Sequence, residues 1–325
     1  MAERGRWSPV AILEWALAVW LVKLLAWLPE SSAYALAEGA GRLIFRLDRR
    51  HRAITMENLT RAFSGEYTPG EIATLARAVF ENLGRTAVDV ARSDRLLHER
   101  NQDAFRVDGL DRLQRARRGG KGVLLITAHF GPWELLPLVS VLAYGPGHFV
   151  ARPMDNPWLD DLLTALRERE GSRVIRKRDA VQGILQALRR GKTVGILIDQ
   201  HISEKEGVVV PFFGQPASTA FAPALIAMRS GAAVLPMVIM RHGRGRYRVI
   251  FGDEVPVRRS GDLKADLVEN TARFTAAIEA FIRTRPDHWF WVHRRWKTRQ
   301  PLDPRLEIHD TPGQPEAVQV GNKGR

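Results

Sequence analysis

The segment "ITAHFGPWELLP" (126–137) places a histidine five positions before a glutamate, with a glycine and a proline between them. His129 can take a proton near neutral pH, and a nearby carboxylate can fix its tautomer and stabilise the imidazolium that forms. Residues five apart point about 140° away from each other on a regular helix, so His129 and Glu134 can meet only where the chain bends. Gly131 permits that bend, and Pro132 suits the first position of a helix. The segment predicts a corner where Glu134 orients His129 as a general base.

Three predicted strands each end in a polar motif. In open α/β sheets, ligand sites lie beyond the carboxyl ends of the strands, so parallel strands would bring the three motifs to one edge. An isolated HxxxxE match is usually structural, but core packing does not predict this repetition. The strands and the residues that follow them are 122–127 with His129, 147–151 with Arg152, and 193–198 with Asp199 and Gln200.

Each of these residues has a functional and a structural interpretation. Arg152 can hold a phosphate or carboxylate with both arms of its guanidinium, or it can be a solvated surface arginine. Asp199 can orient Arg152 or a substrate, or it can cap a helix after the strand. Trp133 can contact an apolar part of a substrate or pack in the core. The predicted substrate-binding residues are Phe130, Gly131, Trp133, Arg152, Asp199 and Gln200.

The sequence also excludes several kinds of chemistry. It contains no cysteine, which rules out disulfides, thiolate nucleophiles and cysteine-bound zinc. A GxSxG nucleophile elbow and an HExxH metal motif are both missing. The chemistry that these residues suggest is a base that activates a substrate hydroxyl directly. A first helical turn after the corner would offer backbone N–H groups to a developing oxyanion. We expect neither a cofactor nor a metal.

Charge and length limit the class of partner. Lysine and arginine total 49 against 36 aspartate and glutamate in 325 residues, a net charge of +13. This balance favours an acidic partner, such as an acidic carrier protein, an anionic membrane surface or nucleic acid. The basic clusters 176–178, 189–190 and 294–295 are candidates for contacts with a carrier protein or headgroups, or are solvated helix ends.

The N-terminal run "PVAILEWALAVWLVKLLAWL" (9–28) is apolar apart from Glu14 and Lys23. Its length is about that needed to cross a bilayer. Glu14 and Lys23 lie on opposite helix faces and cannot neutralise each other, so an anchor in the membrane interface is nearly as well supported as a span. A cleaved signal peptide is the alternative, but Lys23 and the tryptophans interrupt its expected apolar stretch.

The remainder reads as one α/β domain with a mixed, largely parallel sheet flanked by helices. Thr68 and Glu71 form a capping box before a helix whose predicted buried face is Ile72, Leu75, Val79, Leu83, Ala87 and Val90. Besides the three strands above, strands are predicted at 232–240 and 246–252, and helices at 156–171, 179–191 and 263–284. The predicted organisation is an anchor (1–30), a main domain (31–299; helical at 31–120, α/β core at 121–299) and a polar, disordered tail (300–325).

Several motifs stand in order between about Asn58 and Lys297: "HFGPWE", "RPMDNPWLDDLLTALREREG", "GILIDQ", "VVPFFGQPASTAFAPALIAMRSGAAVLP" and "DHWFWVHRRWK". They resemble the late acyltransferases of lipid A biosynthesis, the lauroyl- and myristoyl-transferring members of the lysophospholipid acyltransferase superfamily. The resemblance implies that the main domain is an acyltransferase domain with a glycerol-3-phosphate acyltransferase-like fold. It also implies an enzyme of the inner membrane, with its catalytic domain on the cytoplasmic side.

The same resemblance implies that an acyl chain moves from an acyl carrier protein thioester to a hydroxyl of a phosphorylated glycolipid, with His129 and Glu134 as the catalytic dyad. The expected partners are the carrier protein, the glycolipid acceptor and membrane lipids, and not nucleic acid. Acyl-CoA as donor, another glycolipid or lysophospholipid as acceptor, and a lipid hydrolase remain alternatives. The aromatic and basic stretch "HWFWVHRRWK" (288–297) suits single-stranded nucleic acid or a membrane interface, and the apolar N-terminus favours the membrane.

Overall fold

The computed structural model of the chain describes residues 8–98, 104–176, 180–203, 205–297 and 301. Apart from residue 301, the predicted disordered tail lies outside the described residues, as do residues 177 and 178 of one predicted basic cluster. Helices fill the part of the chain before the first strand. They are α1 (Pro9–Trp27), α2 (Glu30–Leu47), α3 (Arg49–Ala62), α4 (Pro69–Ala91) and α5 (Ser93–His98).

Helix α4 begins at the predicted capping box. The Thr68 hydroxyl accepts from the Glu71 N–H at 3.3 Å, and the Glu71 carboxylate accepts from the Thr68 N–H at 2.7 Å. The predicted buried face is right at Ile72 and Val79 but wrong at Ala87, which is exposed. The reason is that α4 packs against α2 on one side and the sheet domain on another. Its buried side therefore includes polar residues, such as Asp89, which the apolar pattern did not mark.

Within the described residues, the sheet has seven strands in the order β1-β9-β8-β2-β5-β3-β4. Strands β8, β2, β5, β3 and β4 are parallel to one another, whereas β9 is antiparallel to β8 and parallel to β1. The predicted mixed, largely parallel sheet is therefore confirmed. The strands are β1 (Phe105–Asp108), β2 (Val123–Thr127), β3 (His148–Ala151), β4 (Arg173–Arg176), β5 (Thr193–Leu197), β8 (Ala233–Arg241) and β9 (Tyr247–Phe251).

Helices cover both faces of this sheet. Alternate residues of β2 enter two different apolar clusters, with Leu124 and Ile126 in one and Val123 and Leu125 in the other. This alternation is the side-chain period of a strand buried on both faces. The helices around the sheet are α6 (Leu110–Arg118), α7 (Leu136–Tyr144), α8 (Pro157–Glu168), α9 (Ala180–Arg189), α10 (Ala222–Ser230) and α11 (Leu263–Thr284).

Four strands were not predicted. Strands β1 and β4 are four-residue edge strands with little buried surface, so they carry no clear apolar pattern. Strands β6 (Gly207–Phe212) and β7 (Gln215–Ala220) form a separate antiparallel hairpin.

The aromatic residues near the C-terminus pack beneath that hairpin. Trp289 and Trp291 are fully buried, and Trp296 stacks on Phe212 with ring centroids 5.7 Å apart. The predicted membrane-interface role of these tryptophans is therefore wrong, because they belong to the core.

The N-terminal apolar run forms helix α1, as predicted. Within the described residues, α1 is the one helix long and apolar enough to cross a membrane, with a mean hydropathy of 1.8. It packs against α4 and α8, and most of its side chains are exposed.

Candidate active site

The corner after β2 depends on Gly131. Its φ of 56° lies in the left-handed region, and a Cβ there would lie 2.3 Å from the carbonyl oxygen of Ile239. The Gly131 N–H donates to the His288 carbonyl at 2.9 Å, and the Phe290 N–H donates to the His129 carbonyl at 3.0 Å. The predicted bend is confirmed, and the segment 288–290 holds it.

The segment after the corner differs from the prediction in one respect. Pro132 does not start an α-helix but precedes a 3₁₀ turn, Trp133–Leu135, from which α7 continues. The N–H groups of His129, Phe130 and Gly131 already donate within the protein. An oxyanion would therefore have to use groups further along this turn.

Asp199 holds the imidazole of His129. One carboxylate oxygen of Asp199 lies 2.9 Å from His129 Nδ1, and the other accepts from the His129 backbone N–H at 2.9 Å. That second oxygen also accepts from the Trp289 indole N–H at 2.7 Å. The Asp199 side chain is fully buried. Strands β2 and β5 are parallel neighbours, which is why the residues after them meet, as predicted.

This arrangement decides which imidazole nitrogen can act as a base. A carboxylate only accepts hydrogen bonds, so Nδ1 of His129 carries the proton and Nε2 presents a lone pair. The side-chain nitrogen of Gln200 lies 3.4 Å from Nε2, and the His129 side chain is 22% exposed. The basic nitrogen therefore faces a solvent-accessible side, with Gln200 beside it.

The protonation equilibria of His129 and Asp199 are coupled. Burial alone lowers the pKa of His129, but the charge and hydrogen bond of Asp199 outweigh it, and Glu134 adds a smaller effect. The result is a pKa above the ordinary value of 6.5. Burial alone would raise the pKa of Asp199, but the charge and hydrogen bonds of His129 hold it well below its usual range. Asp199 therefore stays ionised and stabilises the imidazolium.

Glu134 pairs with an arginine. Its two carboxylate oxygens accept from Arg167 Nε at 2.9 Å and Nη2 at 2.7 Å, and one also accepts from the Trp133 indole N–H at 3.2 Å. The prediction that Glu134 orients the imidazole is therefore wrong, because Asp199 occupies Nδ1. None of the described hydrogen bonds joins Glu134 to the imidazole, and its negative charge contributes less than Asp199 to the raised pKa of His129.

Two aromatic rings enclose the exposed side of the imidazole. The ring centroids of Trp133 and Phe290 lie 5.4 Å and 6.0 Å from that of His129. Phe130 instead is buried, with its ring 5.5 Å from that of His288, so its side chain serves the core. Trp133 and Phe290 are therefore apolar surfaces directly beside the imidazole.

Arg152 lies at the predicted edge but away from the histidine. It follows β3, which is separated from β2 by β5, so it is about 10 Å across the sheet from the end of β2. Its side chain is exposed, and none of the described contacts joins it to His129, Asp199 or Glu134. A role for Arg152 in substrate binding stays a prediction.

Three residues of the site were missed from the sequence. Arg167 lies on α8 within a predicted helix, where a charged residue normally faces solvent. Trp289 lies in the aromatic stretch that is predicted to meet a membrane.

Arg295 belongs to a predicted surface cluster, but it is fully buried and donates to the Ser218 carbonyl at 2.6 Å. Burial lowers the pKa of Arg295 to about 10, partly offset by the nearby Asp199 charge. The buried cation and the tryptophan together stabilise the Asp199 carboxylate.

Comparisons with known proteins agree on one family. The sequence model described as bacterial lipid A biosynthesis acyltransferase matches residues 5–298. The chain is 29% identical over 293 residues to the lipid A biosynthesis lauroyltransferase of Escherichia coli, covering 88% of this chain and 92% of that protein. It is 28% identical over 253 residues to the palmitoleoyltransferase of the same organism, covering 77% and 80%. A phosphatidylinositol mannoside acyltransferase of Mycobacterium tuberculosis is 28% identical over 229 residues, covering 67% and 69%.

Proposed function

Because the chain belongs to the bacterial lipid A biosynthesis acyltransferase family, we propose that it transfers a fatty acyl chain from an acyl carrier protein thioester to a hydroxyl of a phosphorylated lipid A precursor. The observation that carries this proposal is the His129–Asp199 pair. It leaves a basic nitrogen facing an exposed, aromatic-lined opening.

The proposed reaction uses His129 twice. Nε2 takes the proton of the acceptor hydroxyl as its oxygen attacks the thioester carbonyl carbon, forming a C–O bond. The tetrahedral intermediate then collapses, the C–S bond breaks, and the imidazolium returns the proton to the departing thiolate. Asp199 stays ionised throughout and stabilises the imidazolium. No covalent acyl-enzyme forms in this sequence.

Glu134 and Arg167 form the second polar element of the proposed site. Their bidentate pair fixes the turn that carries Trp133, and it holds a carboxylate near the imidazole without a hydrogen bond to it. We assign Glu134 a positioning role through this turn. We also propose that Gln200 and Trp133 contact the substrate, which is supported by their positions beside Nε2 and the imidazole ring.

The proposed location is the inner membrane, with the catalytic domain on the cytoplasmic side. Its support is the apolar helix α1 and the expected donor, a cytoplasmic carrier protein. Cell fractionation tests this location: the uncleaved chain should sediment with inner membranes. A mature N-terminus beyond Ala37 would contradict it.

The test of the activity is a reconstituted assay. The purified enzyme is mixed with an acyl carrier protein thioester and a phosphorylated lipid A precursor, and the lipids are analysed by mass spectrometry. We expect a lipid heavier by one acyl group. Release of free fatty acid with no heavier lipid would instead identify a hydrolase. A parallel reaction with acyl-CoA tests the alternative donor.

A further inference from the structure

A basic cavity of about 290 Å³ lies next to the proposed active site. It opens between the first turn of α3 and the segment 290–297. Phe290 is common to both places, because it lines the cavity and its ring also lies 6.0 Å from that of His129. A group bound in this cavity would therefore be one aromatic ring away from the catalytic base.

Three cations of the cavity have no carboxylate partner among the described residues. Arg50, Arg294 and Lys297 line it and are exposed, and none of them has a carboxylate partner among the ion pairs of the described residues. Two histidines also line the cavity: His51 hydrogen-bonds Asp48 at 2.6 Å, and His293 Nδ1 lies 2.7 Å from the Phe290 carbonyl oxygen. Many other arginines of this chain do have such partners, as Arg167 and Arg283 illustrate. Three unpaired cations around one cavity suit an anion with several oxygens, and phosphate is the common one.

The surroundings indicate that this anion belongs to a lipid. Ile54, Val292 and Phe290 form the apolar part of the cavity wall. The end of α2, just before Arg50 in the chain, exposes apolar side chains to solvent. They are Leu43, Ile44 and Leu47, with exposed fractions of 54%, 50% and 71%. An amphipathic ligand satisfies both surfaces, with its phosphate in the cavity and its acyl chains along α2.

We propose that this cavity binds a phosphate group of the lipid acceptor while the acceptor hydroxyl lies at His129. This assignment rests on the proposed acyl transfer. It replaces Arg152 as the main candidate for the acceptor phosphate, since the cavity offers several cations and touches the site, whereas Arg152 is single and lies across the sheet.

The test compares two acceptors that differ only in the phosphate. In the Arg294→Ala/Lys297→Ala double variant, the KM for the phosphorylated acceptor should rise about tenfold or more, because charge-assisted hydrogen bonds are lost. The KM for the dephosphorylated acceptor and for the acyl donor should stay unchanged. A matched control is Arg118→Ala/Lys121→Ala, which removes one exposed arginine and one exposed lysine. Both residues precede β2, so they lie near its amino end, whereas His129 follows its carboxyl end.

Each outcome has a distinct meaning. Equal losses with both acceptors would overturn the phosphate assignment, and a raised donor KM alone would give the cavity to the carrier protein. Equilibrium binding of both lipids to the wild-type enzyme and to the double variant tests the phosphate site independently of the proposed acyl transfer. If no acyl transfer occurs but the phosphorylated lipid still binds through the cavity, the proposed function fails and the site stands.

An independent observation concerns how helix α1 meets the membrane. Its first half is held by α8, since Asn156 donates to the Ala11 carbonyl and to the Glu14 carboxylate, both at 2.9 Å, and the rings of Trp15 and Trp158 are 5.7 Å apart. The Glu14 charge inside the apolar run therefore has a partner on the protein. The contact belongs to the N-terminal end of the helix.

The opposite end of α1 is held by the same domain. Arg92 donates to the carbonyls of Leu25 and Leu28 at 3.1 Å and 2.8 Å, and Arg95 donates to the Ala26 carbonyl at 2.9 Å. A helix of this length is about 28 Å long, close to the hydrocarbon thickness of a bilayer. If α1 crossed the membrane with these contacts intact, the polar residues that hold it would lie within the hydrocarbon, at a high cost in free energy.

From these two contacts we infer that α1 lies along the membrane surface and does not cross the bilayer. Its outer side chains enter the lipid, and the basic side chains beside them meet anionic headgroups. The outer apolar residues are Val10, Leu13, Leu17, Trp20 and Trp27, and the basic residues are Lys23, Arg42, Arg46 and Arg49.

The cysteine-free chain allows a direct test in native membranes. A Trp15→Cys/Trp158→Cys pair should be joined by a short bifunctional thiol reagent, whereas the Leu17→Cys/Trp158→Cys control, with Leu17 on the outer face, should not. The single variant Ser8→Cys should resist an impermeant thiol reagent added from the periplasmic side. Labelling of Ser8→Cys from that side, without crosslinking of the first pair, would show a spanning helix.

Discussion

Asp199 and Glu134 are two carboxylates near one histidine, and their surroundings differ. Asp199 is fully buried and accepts three N–H groups, two from His129 and one from Trp289. Glu134 is 18% exposed, and both of its carboxylate oxygens accept hydrogen bonds from Arg167. A carboxylate whose oxygens are held by a guanidinium has less capacity left for an imidazole. The difference assigns orientation of the base to Asp199 and support of the neighbouring turn to Glu134.

The largest effect should come from the residue that the two carboxylates serve. His129→Ala removes the proposed general base, and turnover should fall by at least about 10²–10⁴-fold. Single-turnover acyl transfer measures this loss, with circular dichroism as the control for folding. Near-normal turnover, or a trapped covalent acyl-enzyme, would contradict direct transfer with His129 as the general base. The roles assigned to the two carboxylates would then no longer apply.

Asp199→Asn should come next, with a loss of about 10²–10⁴-fold in kcat. The amide places an N–H₂ group among N–H donors and removes the charge that stabilises the imidazolium. Because Asp199 also binds the His129 backbone and Trp289, thermal unfolding must be measured in parallel. A folded Asp199→Asn enzyme with nearly full activity would refute the assignment of orientation to Asp199.

Glu134→Gln should lose much less, about tenfold or below, because Gln keeps one acceptor for Arg167 and leaves the His129–Asp199 contact intact. The measurement is kcat in the same assay, and its value lies in the contrast with Asp199→Asn. A loss as large as that of Asp199→Asn would mean that Glu134 acts directly on the imidazole during turnover.

The Glu134–Arg167 pair should appear in stability as a coupled unit. Glu134→Gln, Arg167→Gln and the double variant form a cycle in which the interaction energy should be about 0.5–3 kcal/mol in the free energy of unfolding. Both side chains are mostly buried, so the coupling should exceed that of a surface pair. If the two single changes in the free energy of unfolding add up to that of the double variant, then the Glu134–Arg167 pair does not stabilise the turn.

The sequence predicted the corner and the strand edge well. The buried runs of β2 and β5 have a clear apolar pattern, and parallel neighbours bring the residues after them together, so His129 and Asp199 could be named in advance. The partner of His129 could not be fixed, because spacing along the chain favours the nearby Glu134. The Asp199 contact depends on a register between strands about seventy residues apart.

Other failures have a similar origin. Trp289 and Trp296 carry the composition of a membrane interface, but Phe212 of the hairpin packs against both rings, and the tertiary fold buries them in the core. Arg167 follows the pattern of a solvated helix face, yet the corner after β2 brings a carboxylate to it. Composition describes what a segment can contact, whereas the tertiary fold selects what it does contact.

The smallest expected effect is a shift in the pH midpoint of kcat/KM. It distinguishes Asp199 from Glu134 by how strongly the charge of each raises the pKa of His129. His129 must be neutral to act as a base, so kcat/KM should fall as the pH drops through its pKa, which lies above 6.5. Burial lowers this pKa, and the raised value depends mainly on Asp199. Asp199→Asn should therefore move the midpoint to lower pH, whereas Glu134→Gln should move it in the same direction by less.

The free energy of unfolding should also depend on pH, through the shifted pKa values of His129 and Asp199. A raised pKa of His129 stabilises the fold below its ordinary pKa, and that contribution is lost as the pH rises through the folded-state value. The lowered pKa of Asp199 stabilises the fold above its ordinary range and is lost in acid. Profiles of kcat/KM and of thermal unfolding against pH measure both. If Glu134→Gln shifts the midpoint more than Asp199→Asn does, then Glu134 controls the charge of the base, and the assignment of the two carboxylates must be reversed.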